Sequence, residues 1–147
     1  VDQRSDVAVF SSAPLQTALQ LCGRPVVRFK VTADQPAFDL CAALSRLPAN
    51  GDEVQQLSTG VLRVRRSMDS EDGHITLELQ PLFVSFQSGD RLRLSLAGAS
   101  WPAIGINPGD GEQRFGPPNS DCRVITLAIE LDGATLQMAP LIVSQAG

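Results

Sequence analysis

The 147-residue chain contains no tyrosine, one tryptophan, one histidine and three cysteines. Each shortage removes a class of function. One imidazole cannot supply the two or three that a metal-holding jelly roll of the cupin kind needs. That histidine, His74, lies in the turn Glu71–Ile75, where a solvated side chain is expected, and any Ser-His-Asp arrangement would have to use it. No G-x-S-x-G elbow leads into a helix. Sugar-binding sandwiches present aromatic platforms, and here only Trp101 and Phe115 fall in loop-like contexts. A net charge of −4 and a pI of about 4.8 oppose nucleic-acid binding, which needs clustered positive charge. No apolar run approaches the roughly 18 residues of a membrane helix, and no basic-then-apolar leader opens the chain. Neither a nucleic acid nor a membrane is therefore expected as a partner, and no cofactor or metal is expected. Cys22, Cys41 and Cys122 are odd in number and fit neither a metal pattern nor a disulfide framework. Their apolar neighbours imply buried free thiols, which suit a reducing, cytoplasmic compartment.

What is present is a two-residue period. In Val26–Thr32, Val27, Phe29 and Val31 alternate with Arg28 and Lys30. Val61–Arg66, Ile75–Leu79, Arg91–Leu96 and Val124–Leu131 alternate in the same way. A strand sends successive side chains to opposite faces, so each segment has one buried side and one wet side. Turn signals separate them at Asn50-Gly51, Asp72-Gly73, Ser88-Gly89-Asp90 and Asp132-Gly133. The last predicts a two-residue hairpin between Val124–Leu131 and Ala134–Met138. One-sided strands joined by short turns must pair their greasy faces, which predicts an all-β sandwich or jelly roll. With 43% hydrophobic and 19% charged residues, a single domain over 1–147 can hold its own core. Ser12–Cys22 and Phe38–Leu47 instead show helical spacing.

The longest stretch without a period is Asn107–Asp121, which reads as a surface loop of the length that is usually functional. Just before it, Pro102 has no N–H to give a ladder and ends the preceding strand, with Trp101 closing that end of the sandwich. Acidic residues gather at Asp69, Glu71 and Asp72, and again at Asp110 and Glu112. Solvated turns are the expectation there, because calcium needs about six converging oxygens. The arginines of Val61–Arg66 and Arg91–Leu96 would make an anion site only if those strands lay side by side.

The order of short motifs resembles the C-terminal jelly-roll domain of the X-Pro dipeptidyl-peptidase and cocaine-esterase (CocE/NonD) family of serine hydrolases. Ser11-Ser12, Leu15 and Gly23-Arg24-Pro25 match the entry to that domain. Asp39-Leu40, Pro48–Gly51, Thr59–Arg63 and Gly89–Leu94 match its middle. Ser100-Trp101-Pro102, Asn107–Gly111 and Ala139-Pro140-Leu141 match its end. The chain departs from the pattern at Arg46-Leu47, where the family commonly has Asp-Val. It departs again at Ile106, where an arginine is usual, and at Trp101, where phenylalanine is commoner. The resemblance implies a galactose-binding-domain-like jelly roll, extended chain in both helix-spaced segments, and a triad in a preceding α/β-hydrolase domain. It further implies a domain cut from the end of a longer enzyme, non-catalytic, packed on the catalytic domain and helping to shape its cleft. A homodimer is a further expected partnership. Trp101, Asn107, Asp110, Arg114 and Phe115 are the candidate interdomain or ligand contacts. The alternative reading is an independent carbohydrate- or ligand-binding module.

Overall fold

Residues 5–51, 53–65, 73–100, 102–112 and 115–138 are described by a computed structural model. Among them are nine strands and no helix: β1 (Val7–Ser11), β2 (Leu19–Gly23), β3 (Val26–Ala33), β4 (Ala37–Leu47), β5 (Gln55–Arg65), β6 (His74–Glu78), β7 (Leu82–Phe86), β8 (Arg91–Ala97) and β9 (Leu127–Gln137). The first eight pair in a nested series, β1 with β8, β2 with β7, β3 with β6 and β4 with β5, all antiparallel. That nesting is a long two-layered ribbon wrapped on itself, the winding of a jelly roll. β4 also pairs with β8, giving the sheet order β1-β8-β4-β5, while β9 adds to β3 in the order β6-β3-β9.

The core lies between these layers. Val27, Phe29 and Val31 of β3 and Ile75 and Leu77 of β6 face Phe38, Leu40, Ala42 and Leu44 of β4. Leu44 and Phe86 are completely buried, and each such side chain contributes about 1.5–3 kcal/mol relative to an exposed position. The predicted alternation holds in β3, β5 and β6, where Arg28, Arg63 and Thr76 point outward. Gly60 explains how the layers meet at one corner. A Cβ there would lie 2.6 Å from the Glu78 carbonyl oxygen, so only glycine lets β5 cross the end of β6.

Both helix-spaced segments run largely extended, as the family resemblance implied and against their spacing. In Phe38–Leu47, Leu40 and Leu44 are four apart on one face of a strand whose other face is also largely covered. Central strands lose the polar-apolar alternation that identifies edge strands, and helical spacing then appears by accident. Ser12–Leu15 runs extended beside β8, with Ser12 N–H donating to the Leu92 carbonyl at 2.9 Å and Leu15 N–H to that of Asp90 at 2.8 Å. Asp132-Gly133 is no hairpin. β9 continues past it in one direction, and its register on β3 jumps from Lys30↔Glu130 to Arg28↔Thr135. Residues 131–134 therefore bulge out opposite Phe29, because β3 offers a continuous edge on both sides of the interruption. β8 ends at Ala97, so Pro102 is not what stops it. The thiols are free, but only Cys41 is buried: Cys22 is exposed and Cys122 intermediate. Cys22 alternates with buried Leu21, which sends it outward.

Candidate functional site

The aperiodic segment after β8 forms a strap tied down at several points. Ile106 and Gly116 make an isolated antiparallel bridge, with N–H to carbonyl distances of 2.8 and 3.4 Å, and so close the loop between them. Farther along, Arg123 N–H donates to the Pro108 carbonyl at 3.0 Å, and Thr126 N–H donates to the Asp34 carboxylate at 2.9 Å. Asp110 accepts the Glu112 N–H at 2.8 Å and Asn119 the Asp121 N–H at 2.9 Å, local turns of the kind short polar side chains favour.

The strap is anchored at its centre by a buried carboxylate. Asp39, on the outward face of β4, is only 1% exposed. The Asn107 side-chain amide donates to Asp39 Oδ1 at 3.0 Å, while Asn107 Oδ1 accepts the Gly109 N–H at 3.0 Å. Arg63 of β5 places its Nε 3.5 Å from Asp39 Oδ2 and donates through its terminal nitrogen to the Gly105 carbonyl at 3.1 Å. The Phe115 ring covers the same guanidinium, 3.6 Å from its centroid. One arginine thus holds a strand carboxylate, a loop carbonyl and a loop aromatic. Burial pushes the Asp39 carboxyl up from its ordinary value, and the Asn107 amide and the Arg63 charge pull it partly back. Beside it, burial and then the Asp39 charge raise the Cys41 thiol to about 11, so it is protonated at neutral pH.

The candidate residues fall in different places. Asn107 is buried and occupied by Asp39 and Gly109. Asp110 is exposed, and Phe115 keeps 37% of its surface open above Arg63. Trp101 and Arg114 lie outside the described residues, as do Asp69, Glu71 and Asp72. His74 is exposed at the start of β6, opposite Lys30. Among the described residues no group of three or more His, Cys, Asp or Glu side chains could hold a metal ion. No described helix is long and apolar enough to cross a membrane. The two arginine strands do not meet, because β4 separates β5 from β8. Reading the sequence missed Asp39 and Arg63 as a pair. The signal was there: a lone carboxylate in the otherwise uncharged run Ala37–Leu44 cannot be buried unpartnered.

Residues 1–137 match a family model described as the X-Pro dipeptidyl-peptidase C-terminal non-catalytic domain. No curated protein matches the chain. Among solved structures, an aminopeptidase from a marine sediment Thaumarchaeota archaeon aligns over 95% of this chain and 26% of its own, at 20% identity and a TM-score of 0.80. An alpha-amino acid ester hydrolase aligns over the same shares at 18% identity and a TM-score of 0.81. A CocE/NonD family hydrolase from Staphylococcus aureus aligns over 92% of this chain and 30% of its own, at 19% identity and a TM-score of 0.63. At these identities the likeness is one of fold, and the chain spans about a quarter of the length of the first two.

Proposed function

The chain belongs to the X-Pro dipeptidyl-peptidase C-terminal non-catalytic domain family, and on that premise we propose that it is the accessory domain of a larger serine hydrolase. Its parent cleaves an ester or an X-Pro peptide bond in an α/β-hydrolase domain, and these residues pack on that domain and help wall its cleft. The observation that carries this reading is one of proportion: nearly the whole chain superposes on about a quarter of each of two much longer enzymes, a hydrolase and an aminopeptidase. The strap supports it. Phe115 lies at the surface over the Arg63 guanidinium, which also meets Asp39 and the Gly105 carbonyl, and aromatic and arginine side chains of that kind anchor interfaces. Contacts between domains of one chain typically cover about 600–1,500 Å². A cytoplasmic location belongs to the same proposal.

The test compares the parent hydrolase with and without these 147 residues. Hydrolysis of a p-nitrophenyl ester and of an X-Pro p-nitroanilide is followed together with thermal unfolding. Removal is expected to lower the Tm of the remainder and raise KM, with no turnover by the excised piece. A remainder unchanged in both respects, or an excised piece whose turnover is lost in His74→Ala, refutes the proposal.

A further inference from the structure

The two β-layers do not close on each other everywhere. Between β1 and β9, outer strands of their respective sheets, lies a cavity of about 290 Å³. Phe10 of β1, Leu94 and Leu96 of β8, Val27 and Phe29 of β3 and Leu136 of β9 wall it. The β3–β9 ladder explains the space. Val31 and Val27 of β3 point into the core and have partners on β9, Ile129 and Leu136, but the register skips Phe29 between them. The residues that would stand there, 131–134, bulge away instead and leave Leu131 61% exposed at the rim. Sliding the strand cannot close the void. β9 is held to β3 on both sides of the bulge, from Ala33↔Leu127 to Lys30↔Glu130 and from Arg28↔Thr135 to Val26↔Gln137.

We infer that this cavity is a binding site for an uncharged, hydrocarbon-rich small molecule. The inference stands on the cavity alone and goes beyond the accessory-domain reading. Size sets the scale of the ligand. A dry apolar cavity of about 150 Å³ admits benzene, and this one is about twice as large, which suits about ten heavy atoms. The lining sets its chemistry. Thr135 contributes the one polar side chain, whereas a water molecule needs about 2–4 polar partners to stay, so water is a poor occupant. No charged side chain lines the cavity, and a charged head group would lose its hydration there without a counter-ion. The rim opposes an anion in particular. Asp132 is exposed on the bulge between Leu131 and Ala134, while neighbouring Glu130 is paired with Lys30 at 3.0 Å. The exposed Thr135 hydroxyl, which can donate or accept, suits a hydroxyl or carbonyl at one end of the ligand.

The experiment is titration of methyl-labelled protein with 1-octanol, read at the NMR signals of Ile129 and Leu136, in the 147-residue chain and in the full-length hydrolase. Saturable shifts of both signals with one shared Kd are expected, and octanoate is expected to bind about tenfold more weakly. Ala134→Phe, which places a ring in the mouth, is expected to abolish the shifts while the unfolding transition is kept. Asp132→Lys changes only an exposed charge at the rim and is expected to narrow the preference for octanol over octanoate about threefold. Shifts that do not saturate, that survive in Ala134→Phe, or that are as strong with octanoate overturn the inference, as does a preference unchanged in Asp132→Lys. Signals that respond in the 147-residue chain but not in the full-length hydrolase show the cavity filled by the rest of the parent, and overturn it equally.

Discussion

Asn107→Ala probes the anchor of the strap most directly. The substitution removes the donor to Asp39 Oδ1 and the acceptor for the Gly109 N–H in one step. Losing a hydrogen bond to a charged group costs about 1.5–3 kcal/mol, and an orphaned buried N–H costs about 1–3 kcal/mol. Arg63 remains on the other carboxylate oxygen, and water can enter from the loop side, so a net loss of about 2–4 kcal/mol is expected. For a chain of 147 residues the unfolding entropy is about 0.3 kcal/mol/K, which makes the fall in Tm about 6–13 °C.

The loss carries a pH signature. Burial raises the folded-state pKa of Asp39, so its ionised form costs stability at neutral pH, and that cost is relieved as pH falls through the raised value. Without Asn107 the pKa rises further. The variant should therefore be more destabilised at pH 7 than in mild acid, as measured by urea unfolding across pH. Asp39→Asn keeps an acceptor for Asn107 and discards the buried charge. It should cost less than Asn107→Ala and flatten the pH profile. A loss below about 1 kcal/mol, or one independent of pH, refutes the buried pair as the anchor.

Gly60→Ala brings a methyl group against the Glu78 carbonyl and the Leu77 side chain, and should destabilise by about 1–3 kcal/mol in chemical denaturation. Towards a thiol reagent at neutral pH, Cys22 should react first, Cys122 more slowly and Cys41 only as the protein unfolds. Asp90 has the opposite linkage to Asp39. Gln87 N–H, Ala49 N–H and Arg46 all donate to it, at 2.8, 3.0 and 2.7 Å, and the first of these does most to hold its carboxyl below the usual range. Its contribution is present above the unfolded-state pKa and lost as pH falls through the lower folded value. Asp90→Ala should accordingly lower Tm at pH 7 and weaken the acid sensitivity of the fold, as read from thermal melts between pH 2 and 7.

The sequence by itself determined the fold class and most of the core. Alternation in β3, β5 and β6 is a local property, legible because one face of each strand is wet. The glycines and prolines between strands marked turns for equally local reasons, and the motif order pointed to the family. Tertiary structure alone decided the rest. β4 is buried on both faces, so its pattern imitated a helix until its neighbours were known. The bulge at Asp132-Gly133 depends on β3 being present as a continuous partner, and no local signal separates it from a hairpin. Asp39, Arg63 and Asn107 are far apart in the chain and became one anchor only when β4, β5 and the strap were stacked. Burial and pairing are relations between distant segments, and a sequence read along its length records them only where a neighbour leaves a periodic trace.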